Sequence, residues 1–281
     1  MKSTLDGKTT SSTLDSAEPS PWAILVEDLH LYYRRPRHDA TSIKELVLTL
    51  IRQRRLESYE VRALRGVSLA IRQGEVYGII GRNGAGKSTL FKVLSRLLRP
   101  TKGRVRIWGE VAPLLGVGAG FHPELTGREN IYLYSALLGR SRKRTDELFH
   151  DIVEFAELED FIEAPLRTYS SGMVARLGFA VAMAERPDIL LVDEVLAVGD
   201  VNFKNKCERR FEEFVQQGST IVIISHNMNV IREMCGRASW LHQGEIMATG
   251  PAKEVVTEFL QFMKQEAQRR ASPQTKNTNA N

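Results

Sequence analysis

Short apolar runs alternate with longer stretches of helical spacing along the chain, and their order predicts the fold class. Runs that favour strands occupy residues 23–29, 61–71, 75–80, 189–192 and 220–224. From about residue 129 to residue 185, apolar side chains at helical spacing dominate instead. A helical segment between two strand-rich halves predicts an α/β core that carries a helical subdomain at about residues 118–186.

The two ends of the chain differ from this middle part. Residues 1–20 and 265–281 are mostly polar and charged, and neither segment has enough apolar side chains to offset the entropy lost on ordering. We therefore expect a disordered leader at 1–20, a folded domain at 21–264 and a disordered polar tail at 265–281. No apolar run approaches the roughly 18 to 20 residues that cross a bilayer, so a membrane role is expected only through a partner.

Composition narrows the cellular setting but not the activity. The two cysteines, Cys207 and Cys235, match neither a disulfide framework nor a metal-ligand spacing. We therefore expect structural thiols in a reducing compartment. A net charge of +5 with a pI near 9.2 is compatible with nucleic acid, an anionic membrane surface or an acidic partner, and the excess is too small to choose among them.

The segment GRNGAGKST at residues 81–89 carries the strongest chemical signal. It fits the P-loop pattern and stands between a predicted strand and a predicted helix, as that motif requires. Glycines let backbone N–H groups wrap closely around phosphate oxygens, Lys87 would reach the β- and γ-phosphates, and the Ser88 hydroxyl would bind Mg²⁺. A glycine-rich turn with a chance lysine is the alternative. The predicted nucleotide-binding residues in this segment are Gly81, Asn83, Gly84, Ala85, Gly86, Lys87, Ser88 and Thr89.

Two carboxylates end a later apolar strand. Asp193 and Glu194 follow the run ILLV, which is typical of a parallel strand buried on both faces. At the carboxyl end of such a strand, Asp193 is predicted to hold the metal ion and Glu194 to be the catalytic residue that polarises the attacking water. A solvated acidic pair after an edge strand is the alternative. Together with the P-loop, the pair predicts a site for ATP and Mg²⁺.

The segment YSSGM at residues 169–173 resembles the signature motif of ABC ATPases, whose commoner form reads LSGGQ. The resemblance extends over nearly all of residues 22–263. It implies a P-loop NTPase core of RecA-like type with an antiparallel β subdomain and an inserted helical subdomain. It also implies that Ser170, Ser171 and Gly172 open a helix that caps the γ-phosphate held by the opposite protomer. Serines that cap a helix without any ligand are the alternative.

Three further residues take roles from the same resemblance. Asp200, in the segment LAVGD, matches the aspartate that links the two sites of the dimer. His226 matches the switch histidine, a catalytic residue that contacts the γ-phosphate, although a lone histidine after a strand is usually structural or exposed. Tyr33 matches the aromatic residue that stacks on adenine, with Tyr32 or a core tyrosine as alternatives.

One subgroup of the family fits best. The segments GAGFHPELTGRENI at 118–131 and DEVLAVGD at 193–200 resemble bacterial exporters of cell-surface polysaccharides, such as lipid-linked O-antigen and teichoic acid. This resemblance implies a homodimer bound to two copies of an integral-membrane permease at the cytoplasmic face of the bacterial inner membrane. The lipid-linked glycan would be contacted mainly by the permease, and no nucleic acid partner is expected.

Three local features bear on this subgroup. A helix predicted at residues 42–56 has one apolar face surrounded by basic side chains. Such a helix lies near the membrane and permease in the subgroup, and a surface helix docked on the core is the alternative. The glutamine that usually senses magnesium has no counterpart, because its slot falls near Gly116. A carbohydrate-binding domain does not follow the last predicted helix, so substrate recognition is expected in the permease.

The sequence leaves other functions open. A soluble ABC ATPase of translation or DNA repair would usually carry tandem nucleotide domains, long coiled coils or zinc motifs, and none is visible in the sequence. An ABC ATPase that moves a different substrate is a second alternative. A small-molecule phosphotransferase that uses the P-loop alone would not need the signature segment. The favoured hypothesis is therefore an ATPase whose ATP hydrolysis drives polysaccharide export.

Overall fold

The computed structural model describes residues 20–36, 58–114, 118, 120–193 and 201–271. The helix predicted at 42–56 lies outside these residues, as do Gly116, Glu194 and Asp200. Nearly all of the predicted leader and the last ten residues of the predicted tail also lie outside them.

Two sheets organise the described part of the chain. Its strands are β1 (Trp22–Pro36), β2 (Ser58–Arg72), β3 (Val76–Ile80), β4 (Lys102–Ile107), β5 (Val111–Leu114), β6 (Ile189–Asp193), β7 (Thr220–Ile224), β8 (Arg237–His242) and β9 (Glu245–Pro251). One sheet is antiparallel with the order β2-β1-β4, and the other has six strands in the order β5-β6-β7-β3-β8-β9. In the second sheet only the β8–β9 pair is antiparallel. The predicted α/β class and its antiparallel β sheet are confirmed.

Helices accompany the two sheets in the described part of the chain. They are α1 (Lys87–Leu94), α2 (Gly127–Leu137), α3 (Arg142–Ala156), α4 (Ser171–Ala182), α5 (Val201–Gln216), α6 (Met228–Met234) and α7 (Ala252–Ala271). The three helices α2, α3 and α4 lie in the interval predicted for the helical subdomain. Among the described helices, none combines the length and the apolar character that crossing a bilayer requires.

Successive side chains of a strand point to opposite faces of the sheet. The uninterrupted buried runs of β6 and β7 are therefore buried on both faces. Leu190 and Val192 pack into a core shared with the helical subdomain. Ile189 and Leu191 pack on the opposite side, toward α1 and the antiparallel sheet. The uninterrupted apolar run in the sequence therefore serves two cores, and burial of each such side chain contributes about 1.5–3 kcal/mol.

A polar cap fixes the start of α2. The backbone N–H of Glu129 donates to the Thr126 hydroxyl at 3.2 Å, and the Glu129 carboxylate accepts from the Thr126 backbone N–H at 2.8 Å. Hydrogen bonds from the Thr126 backbone and hydroxyl hold the pKa of the Glu129 carboxyl below its usual range. The cap explains why the helix begins directly after Thr126, at Gly127.

A carboxylate connects the helical subdomain to the core. Glu157, the residue directly after α3, has a left-handed φ of 56°. Its two oxygens accept from Arg176 of α4 and from Lys206 of α5, each at 3.2 Å. Beside this junction the rings of Phe155 and Phe203 meet edge to face at 5.7 Å. Apolar packing and a shared carboxylate therefore hold α4 against the core.

The last helix extends beyond the predicted end of the folded domain. Helix α7 continues to Ala271, so the prediction of a disordered tail is wrong for residues 265–271. Phe259 and Phe262 pack their rings against Trp240 of β8, with centroid distances of 5.7 and 4.9 Å. Docking of these aromatic rings anchors the helix. The polar residues that follow continue it because each adds one backbone hydrogen bond that offsets the entropy lost on ordering it.

Both cysteines are buried, and burial raises the pKa of Cys207 and of Cys235 to about 12 because desolvation disfavours the thiolate. At pH 8 only about one thiol in ten thousand would be ionised.

We therefore expect mass spectrometry to find neither cysteine alkylated after brief treatment of the folded protein with iodoacetamide. The same treatment in concentrated urea should modify both. Equal rates in the two conditions would contradict the buried placement.

Candidate functional site

The P-loop turns from β3 into α1 by lying very close to two other strands. Gly86 has a φ of 108°, and a Cβ there would lie 2.8 Å from the carbonyl oxygen of Ala63. A Cβ on Gly81 would lie 2.2 Å from the carbonyl oxygen of Leu241. Only glycine fits such close backbone approaches. The loop leads directly into Lys87, the first residue of α1, and the N–H groups of a first helical turn are free to bind an anion.

The Lys87 ammonium is held across the loop rather than in solvent. The residue is 8% exposed, and its Nζ donates to the carbonyl oxygens of Gly81 at 2.7 Å and Arg82 at 3.1 Å. These charge-assisted hydrogen bonds offset the cost of burying the charge. A phosphate that enters the loop therefore meets a positive charge already in position.

A cleft of about 640 Å³ opens beside the P-loop. Its wall contains most of the residues predicted to hold the nucleotide and the metal, namely Tyr33, Asn83, Gly84, Gly86, Lys87, Ser88, Thr89 and Asp193. Gly81 and Ala85 are not part of the wall. Gly81 packs against β8, and the carbonyl of Ala85 accepts a hydrogen bond from Gly244 at 2.9 Å, so these two residues support the loop from behind.

Asp193 reaches the cleft from the carboxyl end of β6. Strand β6 pairs in parallel with β7, and β7 pairs in parallel with β3, so all three strands end at the same edge of the sheet. Asp193 and Ser88 both line the cleft at this edge, and each carries side-chain oxygen. Oxygen ligands of this kind are the ones that Mg²⁺ prefers, so the two residues present fit the predicted ion.

The two candidate tyrosines lie on opposite faces of β1. Tyr33 lines the cleft. The Tyr32 hydroxyl is hydrogen-bonded to Nδ1 of His30 at 3.0 Å. The guanidinium of Arg62 lies over the Tyr32 ring, 5.5 Å from its centroid. The structure therefore favours Tyr33 over Tyr32 for stacking on a base, and the contact itself stays a prediction.

His226 lies outside this cleft. It follows β7 and lines a neighbouring cavity together with Ser225, Asn227 and two side chains of α5, Lys204 and Glu208. Its predicted contact with the γ-phosphate stays a prediction. The same holds for the predicted roles of Glu194 and Asp200, which lie outside the described residues.

The signature segment opens α4 and lies outside the described lining of its own chain's cleft. The hydroxyl of Ser170 caps the helix by accepting from the backbone N–H of Met173 at 3.2 Å. Ser170 and Ser171 are exposed, and neither they nor Gly172 belong to the described residues that line the cleft. This helix start is therefore accessible to a second molecule.

Five cleft residues are missed by the sequence analysis. They are Val61, Arg62, Ala63 and Arg65 of β2, and Gln243 in the turn between β8 and β9. Gln243 has a left-handed φ of 47°, and its neighbour Gly244 accepts from the backbone N–H of Arg65 at 2.8 Å. The Gln-Gly pair between two apolar runs signals a turn, but nothing in the sequence shows that this turn meets the P-loop.

The described wall of the cleft carries more basic than acidic residues. Arg65 and Lys87 line it together with one acidic residue, Asp193. Arg62 also lines it, but its guanidinium lies over the Tyr32 ring and pairs with Glu60. Such a surplus of positive charge, beside loop N–H groups and hydroxyls, suits a polyphosphate. The carboxylate suits the divalent ion that accompanies a polyphosphate.

Comparisons with known proteins identify the family of this chain. The ABC transporter family matches the chain at residues 64–197. The chain is 44% identical over 227 residues to the O-antigen export system ATP-binding protein RfbB of Klebsiella pneumoniae, and the match covers 80% of this chain and 92% of the relative. It is 45% identical over 201 residues to the teichoic acids export ATP-binding protein TagH of Enterococcus faecalis, with 72% of this chain and 45% of that relative covered.

Solved structures show the same fold. The dimeric post-hydrolysis state of an ATP-binding cassette bound to ADP and Pi gives a TM-score of 0.63 at 22% identity, covering 82% of this chain and 98% of that chain. The ATP-binding subunit of an ABC transporter gives a TM-score of 0.65 at 21% identity, covering 87% of this chain and 98% of that chain. The identity to the Klebsiella relative and the coverage of both chains show the family. The chain belongs to the ABC transporter family, as one of its ATP-binding, ATP-hydrolysing proteins.

Proposed function

We propose that two copies of this chain hydrolyse ATP to drive export of a lipid-linked cell-surface polysaccharide through two copies of a separate membrane permease. The observation that carries the proposal is the cleft that brings the P-loop together with Asp193, while the exposed start of α4 is not part of its described lining. The Klebsiella and Enterococcus relatives are named for O-antigen and teichoic acid export, which supports an exported glycan as the cargo. Binding to the permease would place the chain at the cytoplasmic face of the bacterial inner membrane.

Different cleft residues bind different parts of the nucleotide. The adenine stacks on Tyr33, the loop N–H groups and Lys87 hold the β- and γ-phosphates, and Ser88 and Asp193 hold Mg²⁺. When bound, the ion neutralises charge on the phosphate oxygens. The existing bonds from Lys87 to two loop carbonyls keep the ammonium within the loop until the phosphates take their place.

Hydrolysis then requires a base beside the γ-phosphate. Glu194 follows Asp193 at the end of β6, and in this proposal it accepts a proton from the water that attacks the γ-phosphorus. The bond between that phosphorus and the β–γ bridging oxygen breaks, and ADP leaves with the electron pair. His226 contacts the γ-phosphate from the adjoining cavity.

Two copies complete each other's sites in this proposal. A head-to-tail pair places the Ser170 end of one α4 over the γ-phosphate held by Lys87 of the other copy, and two-fold symmetry makes two equal sites. ATP closes the pair because it binds the closed arrangement more tightly, and hydrolysis removes that preference. Asp200 links the two sites, and the helical subdomain passes the closure to the permease.

Replacing Lys87 by alanine tests the nucleotide site. We expect Lys87→Ala to weaken ATP binding at least about tenfold, or about 1.4 kcal/mol, because the cleft loses the cation placed for the β- and γ-phosphates. Lys92→Ala is the matched control, since Lys92 lies on the same helix with an exposed side chain. Equilibrium titration with a fluorescent ATP analogue measures both variants. Equal affinities would show that Lys87 does not hold the phosphates.

Mixing two inactive variants tests the shared site. Lys87→Ala leaves the signature segment intact, and Ser171→Arg leaves the P-loop intact, so a mixed pair contains one complete site. We expect the 1:1 mixture to recover roughly a quarter of the ATP turnover of the unmodified protein, because half of the random pairs are mixed and each has one of its two sites. A mixture of Lys87→Ala with Ser88→Ala, both altered in the P-loop, should recover none. Absence of recovery in the first mixture would contradict the head-to-tail arrangement.

The cargo and the permease are tested in cells. We expect capture of the tagged chain from detergent-solubilised membranes to recover a polytopic membrane protein, and deletion of the gene to leave lipid-linked glycan inside the cell. Lys87→Ala should still be captured with the membrane protein but should fail to restore export, because docking does not require ATP turnover. Recovery of ribosomes or DNA in place of the membrane protein would contradict the transport function.

A further inference from the structure

The last helix reaches the P-loop through an ion pair. Nη1 of Arg82, the second residue of the P-loop, donates to the carboxylate of Glu266 in α7. The two side chains are 35% and 28% exposed, so solvent screens this pair less than it screens most ion pairs on the surface. Glu266 lies in the part of the chain that the sequence predicts to be a disordered tail.

Arg82 connects this carboxylate to the phosphate-binding lysine. While its guanidinium is held by Glu266, its main-chain carbonyl accepts the hydrogen bond from Nζ of Lys87 at 3.1 Å. The side chain of Arg82 therefore contacts Glu266, and its main chain contacts Lys87, so Arg82 is in contact with both the last helix and the Lys87 ammonium.

Helix α7 can serve as a fixed support because it is docked independently of Arg82. Phe262, one turn before Glu266, packs its ring 4.9 Å from that of Trp240 and 5.2 Å from that of His242. Both partners belong to β8, the strand whose Leu241 carbonyl lies against Gly81. Residues four positions apart lie on the same face of a helix, so the packing of Phe262 also places Glu266 toward the loop.

We propose that Glu266 is a positioning residue for ATP binding, acting through Arg82 on the conformation of the P-loop. The proposal rests on the proposed function, in which the loop binds the ATP phosphates. Glu266 itself does not touch the nucleotide. It holds Arg82, and Arg82 holds the loop in the conformation that presents Lys87, so the ordering of the loop is completed before ATP arrives.

The test separates nucleotide affinity from turnover. We expect Glu266→Gln to raise the KM and the Kd for ATP about three- to tenfold, the size expected for one partly buried charge-assisted hydrogen bond, and to leave kcat within about twofold. Glu258→Gln is the matched control, because Glu258 is an exposed glutamate of the same helix. It should change neither constant. A purely structural loss would instead lower the melting temperature and the active fraction, and so lower kcat without moving KM.

A double-mutant cycle tests the route through Arg82. Arg82→Gln and the double variant Arg82→Gln with Glu266→Gln should have the same KM for ATP, since the second change removes a partner already lost. Independent, multiplying effects would overturn the proposal. So would a decrease in KM for Glu266→Gln, because that result would mean that the pair withholds Arg82 from the phosphates.

If Lys87→Ala itself binds ATP normally, the proposed function fails as well. If only Glu266→Gln is without effect, the inference about Glu266 fails alone.

Discussion

Parallel pairing of three neighbouring strands determines where the chemistry of this protein lies. Strands β3, β7 and β6 run in the same direction in adjacent positions, so the P-loop and Asp193 emerge at one edge of the sheet. With β7 between them, the two ends are about 10 Å apart, a distance that a triphosphate with its metal ion can span. Burial of apolar side chains on both faces of these strands keeps them in register.

The antiparallel sheet and the β8–β9 turn complete the cleft from the other side. Gly244 donates its N–H to Ala85 and accepts from the N–H of Arg65, so one turn residue joins β2 to the P-loop. Close backbone approaches at Gly81 and Gly86 have the same effect. The loop is therefore supported on several sides by main-chain contacts, and α7 adds a side-chain contact through Glu266. Support of this kind keeps the loop ordered before a ligand binds.

The helical subdomain shares an apolar core with the six-stranded sheet, and a carboxylate bridge lies beside that core. Glu157 bridges Arg176 of α4 and Lys206 of α5, and aromatic rings pack beside the bridge. Exposed ion pairs of this type contribute little to stability, so they can be exchanged at low cost.

The sequence by itself determined the fold class, the strands that flank the site, the P-loop and Asp193. These features depend on local periodicity and on motifs whose chemistry lies in consecutive residues, and the structure places Lys87, Ser88 and Asp193 in one cleft. Only the tertiary structure decided that Gln243 and four residues of β2 line that cleft, that Tyr33 faces it in preference to Tyr32, that His226 lies in an adjoining cavity, and that α7 continues past residue 264 to reach Arg82. These features depend on contacts between segments far apart in the chain, and such contacts leave no periodic trace in either segment.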